Sequence, residues 1–138
     1  MKSIMQRKIL WGELDSLGIV FYPRYYEWMD AAGHLFFDAI NLNLGRLMEE
    51  RNIQFPLIQS GCKHRTPGRY YDDIQIITEL ASLTKKTLEL HHHIVRSCDS
   101  TLLVEGFEKR ICLDISNPHQ FRAITIPQDI YTVLEQAR

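Results

Sequence analysis

The sequence predicts an α+β fold in which one long helix is followed by an antiparallel sheet that wraps around it. Apolar residues recur at helical spacing from Pro23 to Ile40. After residue 74 they recur at every second position, which is typical of half-buried strands. The connections between these later runs are too short for parallel crossovers, so the strands must run antiparallel.

The first half of the chain contains a predicted strand, an ordered loop and the main helix. Ile4 to Trp11 is predicted as a strand. Gly12 to Tyr22, with two glycines and two acidic residues, is predicted as a loop. Pro23 stands where proline is favoured, in the first turn of a helix. The helix from Pro23 to Ile40 has an apolar face and a polar stripe, and Gly33 within it indicates close packing. A short second helix is predicted from Leu44 to Asn52.

The second half of the chain is predicted to form further strands. Their alternating apolar residues are Ile74, Ile76, Leu80, then Leu88, Leu90, Ile94, then Phe107, Ile111, Leu113, Ile115. Turn signals separate the runs at Thr66-Pro67-Gly68, Lys85-Lys86 and Cys98-Asp99-Ser100. Pro127 is predicted to open a short terminal helix. No linker divides residues 1–138, so we expect a single domain.

Composition and charge exclude several classes of function. Sixteen basic and 17 acidic residues give a formal net charge of -1, which offers no footprint for general binding to nucleic acid or an anionic membrane. No segment approaches the roughly 20 apolar residues that cross a bilayer, so a membrane is not required. Three cysteines without metal-knuckle spacing predict free thiols, and hence a cytoplasmic protein.

The segment from Trp11 to Tyr25, WGELDSLGIVFYPRY, resembles the signature of the 4-hydroxybenzoyl-CoA thioesterase family. The resemblance continues through Trp28 and Asp30 on the helix, Tyr71-Asp72-Asp73 before the next strand, and Arg122 to Pro127. It covers nearly the whole chain. It implies the hotdog fold, a long helix wrapped by a curved antiparallel sheet of about five strands. It also implies a homodimer at minimum, often a homotetramer, with active sites between subunits.

The resemblance assigns catalysis to Asp15 and to the backbone amide of Tyr22. A carboxylate can attack a thioester directly or act as general base on water, and the sequence does not choose between these routes. A free amide at a helix start suits the developing oxyanion. Gly18 would let the chain turn and the thioester approach the backbone. Taken alone, Asp15 would be expected to cap a helix or turn, as loop aspartates usually do.

Further residues are assigned to substrate binding by the same resemblance. Asp30 matches an aspartate that meets the acyl group, although a residue of the polar stripe could equally be solvated. Lys85, Lys86 and Arg122 match contacts to the CoA nucleotide, and ordinary surface charge is their alternative. Coenzyme A would be part of the substrate, and no cofactor is expected.

Two other functions remain open beside hydrolysis of an aryl- or short-chain acyl-CoA. A hotdog dehydratase or hydratase needs a catalytic histidine, and none lies between Gly12 and Tyr22. A non-catalytic acyl-CoA-binding protein is the second alternative. His91 and His93 share a strand face and suggest a metal site, but no cysteine or carboxylate pattern completes one. We therefore predict no metal.

Overall fold

The computed structural model describes residues 1–138, which form three α-helices and eight strands. The helices are α1 (Pro23–Ala39), α2 (Leu44–Arg51) and α3 (Gln128–Ala137). The longer strands are β1 (Ser3–Lys8), β3 (Leu57–His64), β4 (Asp73–Leu83), β5 (Thr87–Arg96) and β6 (Leu102–Ile111). The short strands are β2 (Ile53–Gln54), β7 (Leu113–Asp114) and β8 (Arg122–Ala123). None of the helices is long and apolar enough to cross a membrane.

The five longer strands form one antiparallel sheet in the order β1-β4-β5-β6-β3, and the short strands form a second sheet in the order β2-β7-β8. Helix α1 packs against β1 and β4, with one face buried and the other exposed. The predicted α+β hotdog arrangement is confirmed. Pro23 occupies the first turn of α1 as expected, and Asn52 ends α2 in the left-handed conformation.

Three details of the strands differ from the sequence prediction. The first strand ends at Lys8, and Trp11–Glu13 form a 3-10 turn instead of its end. Strand β3 was not predicted. The predicted inward face of the last long strand was wrong, because Glu108 and Arg110 are buried whereas Phe107 and Ile111 are only partly buried. In this strand charged residues occupy inward positions, which are usually apolar.

The core consists of two apolar clusters with a polar layer between them. One cluster gathers Tyr25, Trp28 and Met29 of α1 with the first half of β4, and the other gathers Phe36 and Phe37 with α2 and α3. The chain's four buried polar side chains lie between the clusters: Thr78, His92, Glu108 and Arg110. Thr78 of β4 pairs with His92 of β5. Two residues away in either direction, on the same face of the sheet, Ile76 pairs with Ile94 and Leu80 pairs with Leu90.

Gly33 lets α1 approach this polar layer. An added Cβ at Gly33 would overlap the carboxylate of Glu108. That carboxylate accepts a hydrogen bond from Arg110 Nε at 3.1 Å, so it is not free to move aside. The close packing indicated by a glycine within the helix is confirmed, and its partner is a buried charge.

We expect Gly33→Ala to lower the free energy of unfolding, although alanine favours a helix by about 1 kcal/mol over glycine. Overpacking of a well-filled interior typically costs about 1–3 kcal/mol, and the displaced Glu108 would also lose its hydrogen bond. Denaturant unfolding measures the difference. Gly12→Ala is the matched control, since a Cβ there meets no atom within 4 Å. Equal stability of both variants would contradict the expectation.

Candidate active site

The loop between β1 and α1 is held by hydrogen bonds at both ends. The Glu13 carboxylate accepts hydrogen bonds from Arg7 at 2.6 Å and from the Leu10 amide at 2.8 Å. Leu14 bridges to Val20 and Ile19 bridges to Arg69, so the loop pairs with itself and with the segment after β3. Gly18 has a φ of 75°, a left-handed conformation that favours glycine. The loop is therefore ordered, as predicted.

Asp15 lies half-buried in this loop with its two carboxylate oxygens in different roles. Oδ1 accepts a hydrogen bond from the Leu17 amide at 2.8 Å, which makes Asp15 the cap of a turn. Oδ2 makes no hydrogen bond within the chain. The turn thus fixes the direction of the carboxylate and leaves one oxygen available to a reactant. Capping and catalysis are compatible at this position.

The backbone amide of Tyr22 is unpaired at the start of α1. The next two amides that could donate are used, Arg24 to the Phe21 carbonyl at 2.9 Å and Tyr25 to the Tyr22 carbonyl at 3.1 Å. Pro23 has no N–H to offer. The Tyr22 amide itself donates to no acceptor in the chain. A free N–H at the positive end of a helix is suited to a developing negative charge.

Asp15 and Tyr22 line one open cavity of about 330 Å³. Its remaining lining residues are Ile19, Val20, Tyr25, His64, Thr66 and Pro67. The fold therefore brings together a carboxylate with a free oxygen, an unpaired amide and an apolar wall. This arrangement can hold a carbonyl group at the amide and attack it from the carboxylate side.

Tyr25 forms the buried wall of this cavity. Its hydroxyl accepts a hydrogen bond from the Gly68 amide at 3.1 Å, and its ring meets Trp28 edge to face with centroids 5.3 Å apart. Burial raises the pKa of Tyr25, and the Gly68 hydrogen bond opposes that shift. Tyr25 therefore stays neutral and braces the segment that carries Thr66 and Pro67.

His64 and Cys62 were missed by the sequence analysis because strand β3 itself was missed. His64 lines the cavity beside Asp15, and its Nε2 lies 3.6 Å from Cys62 Sγ. Cys62 also lies near Tyr26 on α1, and its interaction with the hydroxyl raises the pKa of that tyrosine. These contacts link the end of β3 to the exposed face of α1.

Asp30 lies on the exposed face of α1 in line with Tyr22 and Tyr26, at successive four-residue steps. Its side chain is 51% exposed, and Oδ1 accepts a hydrogen bond from Arg110 at 3.0 Å. A residue of the polar stripe that was merely solvated would have no such partner. The acyl-contact assignment itself stays a prediction.

Lys85, Lys86 and Arg122 lie at the opposite end of the sheet from Asp15. Lys85 and Lys86 form the β4–β5 turn, beside the start of β3, where Leu57 pairs with Arg110. Strand β4 separates the two ends by about 35 Å, since its 11 residues rise roughly 3.3 Å each. Within one chain these cations and Asp15 are not brought together.

Arg122 is also engaged by a neighbouring carboxylate. Its NH2 donates to Asp114 Oδ2 at 3.1 Å, although 68% of the Arg122 side chain is exposed. Hydrogen bonds from Ser116, and secondarily the Arg122 guanidinium, lower the pKa of Asp114 to about 2. Asp114 is therefore ionised at neutral pH, and a phosphate would compete with it for Arg122.

None of the three consecutive histidines lines this cavity. His91 and His93 face the outer side of the sheet, where they line a second cavity of about 390 Å³ with Phe107 and Glu105. His92 points inward and is fully buried, with Nδ1 hydrogen-bonded to Thr78 Oγ1 at 2.7 Å. No histidine in this run reaches Asp15 or Tyr22.

Comparison with known proteins identifies the class that this fold and cavity define. A profile of the Thioesterase superfamily matches residues 17–102, which is more than half of the chain. The chain therefore belongs to the Thioesterase superfamily and is a thioester hydrolase. The match begins two residues after Asp15, so it covers the helix and most of the sheet but not that carboxylate.

Particular relatives share the whole fold. The 4-hydroxybenzoyl-CoA thioesterase of Pseudomonas sp. (strain CBS-3) is 27% identical over 130 residues, covering 91% of this chain and 92% of that protein. A solved gentisyl-coenzyme A thioesterase is 28% identical, with a TM-score of 0.80 over 96% of this chain and 98% of its own. A hypothetical protein from Thermus thermophilus is 29% identical, with a TM-score of 0.87 over 100% and 98%.

Proposed function

We propose that the protein hydrolyses an acyl-CoA thioester whose acyl group is aromatic or short, with Asp15 as the catalytic carboxylate. The observation that carries the proposal is the cavity lined both by Asp15, whose Oδ2 is free, and by Tyr22, whose amide is unpaired. Membership of the Thioesterase superfamily supports the reaction type. The proposed enzyme needs no cofactor, because coenzyme A enters as part of the substrate, and it works in the cytoplasm.

The proposed chemistry uses the amide first. The thioester carbonyl accepts a hydrogen bond from Tyr22 N–H, and the positive end of α1 stabilises the oxyanion that develops there. Asp15 Oδ2 then attacks the carbonyl carbon to give a mixed anhydride, or deprotonates a water that attacks it. In both routes the CoA thiolate leaves and takes up a proton. In the first route a water then hydrolyses the anhydride, which restores the Asp15 carboxylate and releases the acyl group as a carboxylic acid; in the second route the attacking water gives the acid directly.

The substrate class is supported by two observations. The gentisyl and 4-hydroxybenzoyl groups in the names of the two thioesterase relatives are both hydroxylated aromatic acyl groups. Asp30, in line with Tyr22 along α1, presents a half-exposed carboxylate that could accept a hydrogen bond from such a hydroxyl. Gly18 adjoins the proposed thioester site and would allow close approach of the substrate.

We further propose a homodimer whose active sites are shared between subunits, with tetramers built from such dimers. Strand β3 is an edge strand whose outer edge is unpaired, and Leu57 and Ile58 on it are 43% and 52% exposed. If two β3 strands paired antiparallel about a twofold axis, the start of β3 in one subunit would lie beside the end of β3 in the other. The partner's Lys85, Lys86 and Arg122 would then approach this chain's Asp15 and could bind the CoA phosphates.

Mixing two inactive variants tests the shared site. One chain carries Asp15→Asn, and the other carries Lys85→Glu, Lys86→Glu and Arg122→Glu together. After joint refolding, half of the dimers are mixed and each has one intact site. We therefore expect about one quarter of the wild-type thiol release. Each variant refolded alone provides the control, and a mixture no more active than its components would exclude sites shared in this way.

Thiol release from a panel of acyl-CoA esters tests the function itself. The expected result is turnover of hydroxylated aryl-CoA esters, unaffected by EDTA because no metal takes part. Hydration of an enoyl-CoA without thiol release would favour the dehydratase alternative. Tight binding of every ester with no thiol release would favour a non-catalytic binding protein.

A further inference from the structure

The polar layer between the two apolar clusters ends on Asp30. From the sheet outward it consists of Thr78, His92, Glu108 and Arg110, all at most 3% exposed. Burying charged groups costs several kcal/mol each in desolvation, which even a good ion pair often fails to offset. Apolar side chains of the same size would fill this layer at lower cost. Stability alone therefore gives no reason for charges at this position.

Arg110 uses its guanidinium to join three parts of the fold. Nε donates to Glu108 Oε1 at 3.1 Å, NH1 donates to the Phe55 carbonyl at 2.9 Å, and NH2 donates to Asp30 Oδ1 at 3.0 Å. A planar guanidinium with partners on three nitrogens has one orientation. The side chain is 4% exposed, so water does not compete for these bonds.

Glu108, the hydrogen-bond partner of Arg110, is also held in place by its neighbours. Gly33 provides the space for its carboxylate, and its other oxygen lies 3.6 Å from His92 Nε2. That nitrogen has no hydrogen-bond partner, whereas His92 Nδ1 pairs with Thr78. The layer is thus a continuous series of contacts from strand β4 to the surface of α1.

Asp30 is held in place by Arg110 on its buried side and has one carboxylate oxygen free. Oδ1 is bound by Arg110, and His34 Nε2 approaches the same oxygen at 3.7 Å. Oδ2 makes no hydrogen bond within the chain and lies on a side chain that is half exposed. Along the axis of α1, Asp30 stands about 12 Å from Tyr22, since eight residues rise 1.5 Å each. An acyl group bound at Tyr22 and extending along the helix leads towards Asp30.

We propose that Arg110, held by Glu108, is a positioning residue that aims Oδ2 of Asp30 at the far end of the acyl group. The buried layer thereby makes the enzyme select acyl groups that carry a hydrogen-bond donor at that end. This inference rests on the proposed acyl-CoA function. It extends that function by assigning selectivity to two buried residues that do not touch the substrate.

Binding, measured without turnover, tests the inference. In the Asp15→Asn background, titration calorimetry compares 4-hydroxybenzoyl-CoA with benzoyl-CoA, which lacks the ring hydroxyl. We expect the hydroxylated ester to bind about tenfold more tightly, as befits a hydrogen bond to a charged acceptor. In Glu108→Gln/Arg110→Met, which removes both charges together, the ratio of the two Kd values should fall to about one. The Kd for benzoyl-CoA should stay unchanged.

Two further variants separate positioning from a general structural role. With Asp30→Asn already present, the Glu108→Gln/Arg110→Met replacement should alter the ratio no further. Arg51→Met removes an exposed arginine–aspartate pair with Asp129 and should leave the ratio at its original value. An equal loss of affinity for both esters, or an unchanged ratio in the folded double variant, would overturn the proposal.

If the double variant does not fold, Arg110→Lys gives the same test. Lysine keeps the charge but cannot reach Glu108, Phe55 and Asp30 in one plane, so the ratio should fall part of the way. A ratio of one in the Asp15→Asn chain itself would also overturn the proposal. Failure of the thioesterase function would instead appear as no thiol release by wild type while the binding ratio persists.

Discussion

Asp15→Asn is expected to lower kcat for thiol release by about a hundred- to ten-thousand-fold, the usual contribution of a catalytic acid or base. Asparagine can still accept the hydrogen bond from the Leu17 amide through its side-chain oxygen, so the turn should persist. Its side-chain amide is neutral, so no negatively charged oxygen occupies the position of Oδ2. Acyl-CoA should therefore bind with an almost unchanged Kd while turnover is lost. Stopped-flow detection of the free thiol, with calorimetry for binding, measures both quantities.

Asp99→Asn is the matched control for this loss. Asp99 caps a turn with the same spacing, accepting a hydrogen bond from the Thr101 amide at 3.1 Å, but it lies outside the cavity lining. Its replacement should leave thiol release unchanged. Full activity of Asp15→Asn would mean that another group performs the attack, and His64, which lines the same cavity, would be the first to replace.

Arg110→Met is expected to lower the free energy of unfolding by about 3–5 kcal/mol, because it leaves Glu108 buried without a cation. Methionine fills much of the volume, so the loss reflects the unpaired charge and not a cavity. Glu108 keeps only the more distant His92, whose Nε2 lies 3.6 Å away. Denaturant unfolding followed by circular dichroism measures the change at neutral pH.

Two comparisons show whether burial is the reason for this effect. Arg51→Met breaks a similar arginine–aspartate contact in which the side chains are 38% and 66% exposed, and it should cost less than about 1 kcal/mol. Glu108→Gln/Arg110→Met removes the charge together with its partner and should recover most of the stability lost in Arg110→Met. A double variant as unstable as the single one would show that Arg110 acts mainly through packing.

The main helix and the candidate site beside it could be predicted because their signals are local. Pro23 marks the first turn, the apolar face of α1 repeats along one helix, and Asp15 precedes Tyr22 by seven residues. Neighbours that close in sequence are confined to a small volume whatever the rest of the chain does. The resemblance to a thioesterase signature in that same segment then indicated a chemistry for it.

The edge strand and the inward face of β6 were not predictable in the same way. The segment Leu57–His64 has no clear alternation, contains Gly61 and is largely exposed, so it lacks the pattern of a half-buried strand. In β6, Glu108 and Arg110 occupy inward positions that alternation reserves for apolar residues. Both errors arise where partners from elsewhere in the chain override a local rule.

Local patterns in the sequence were enough to predict the α+β class, the position of α1, the ordered loop and the place of Asp15 just before a helix start. Two features became visible only in the folded chain: Lys85, Lys86 and Arg122 lie at the far end of the sheet from Asp15, and Asp30 accepts a hydrogen bond from the buried Arg110. Arg110 meets Phe55 across 55 residues and Asp30 across 80. Such contacts form only when the folded sheet and helix bring distant segments together, so no local pattern in the sequence records them.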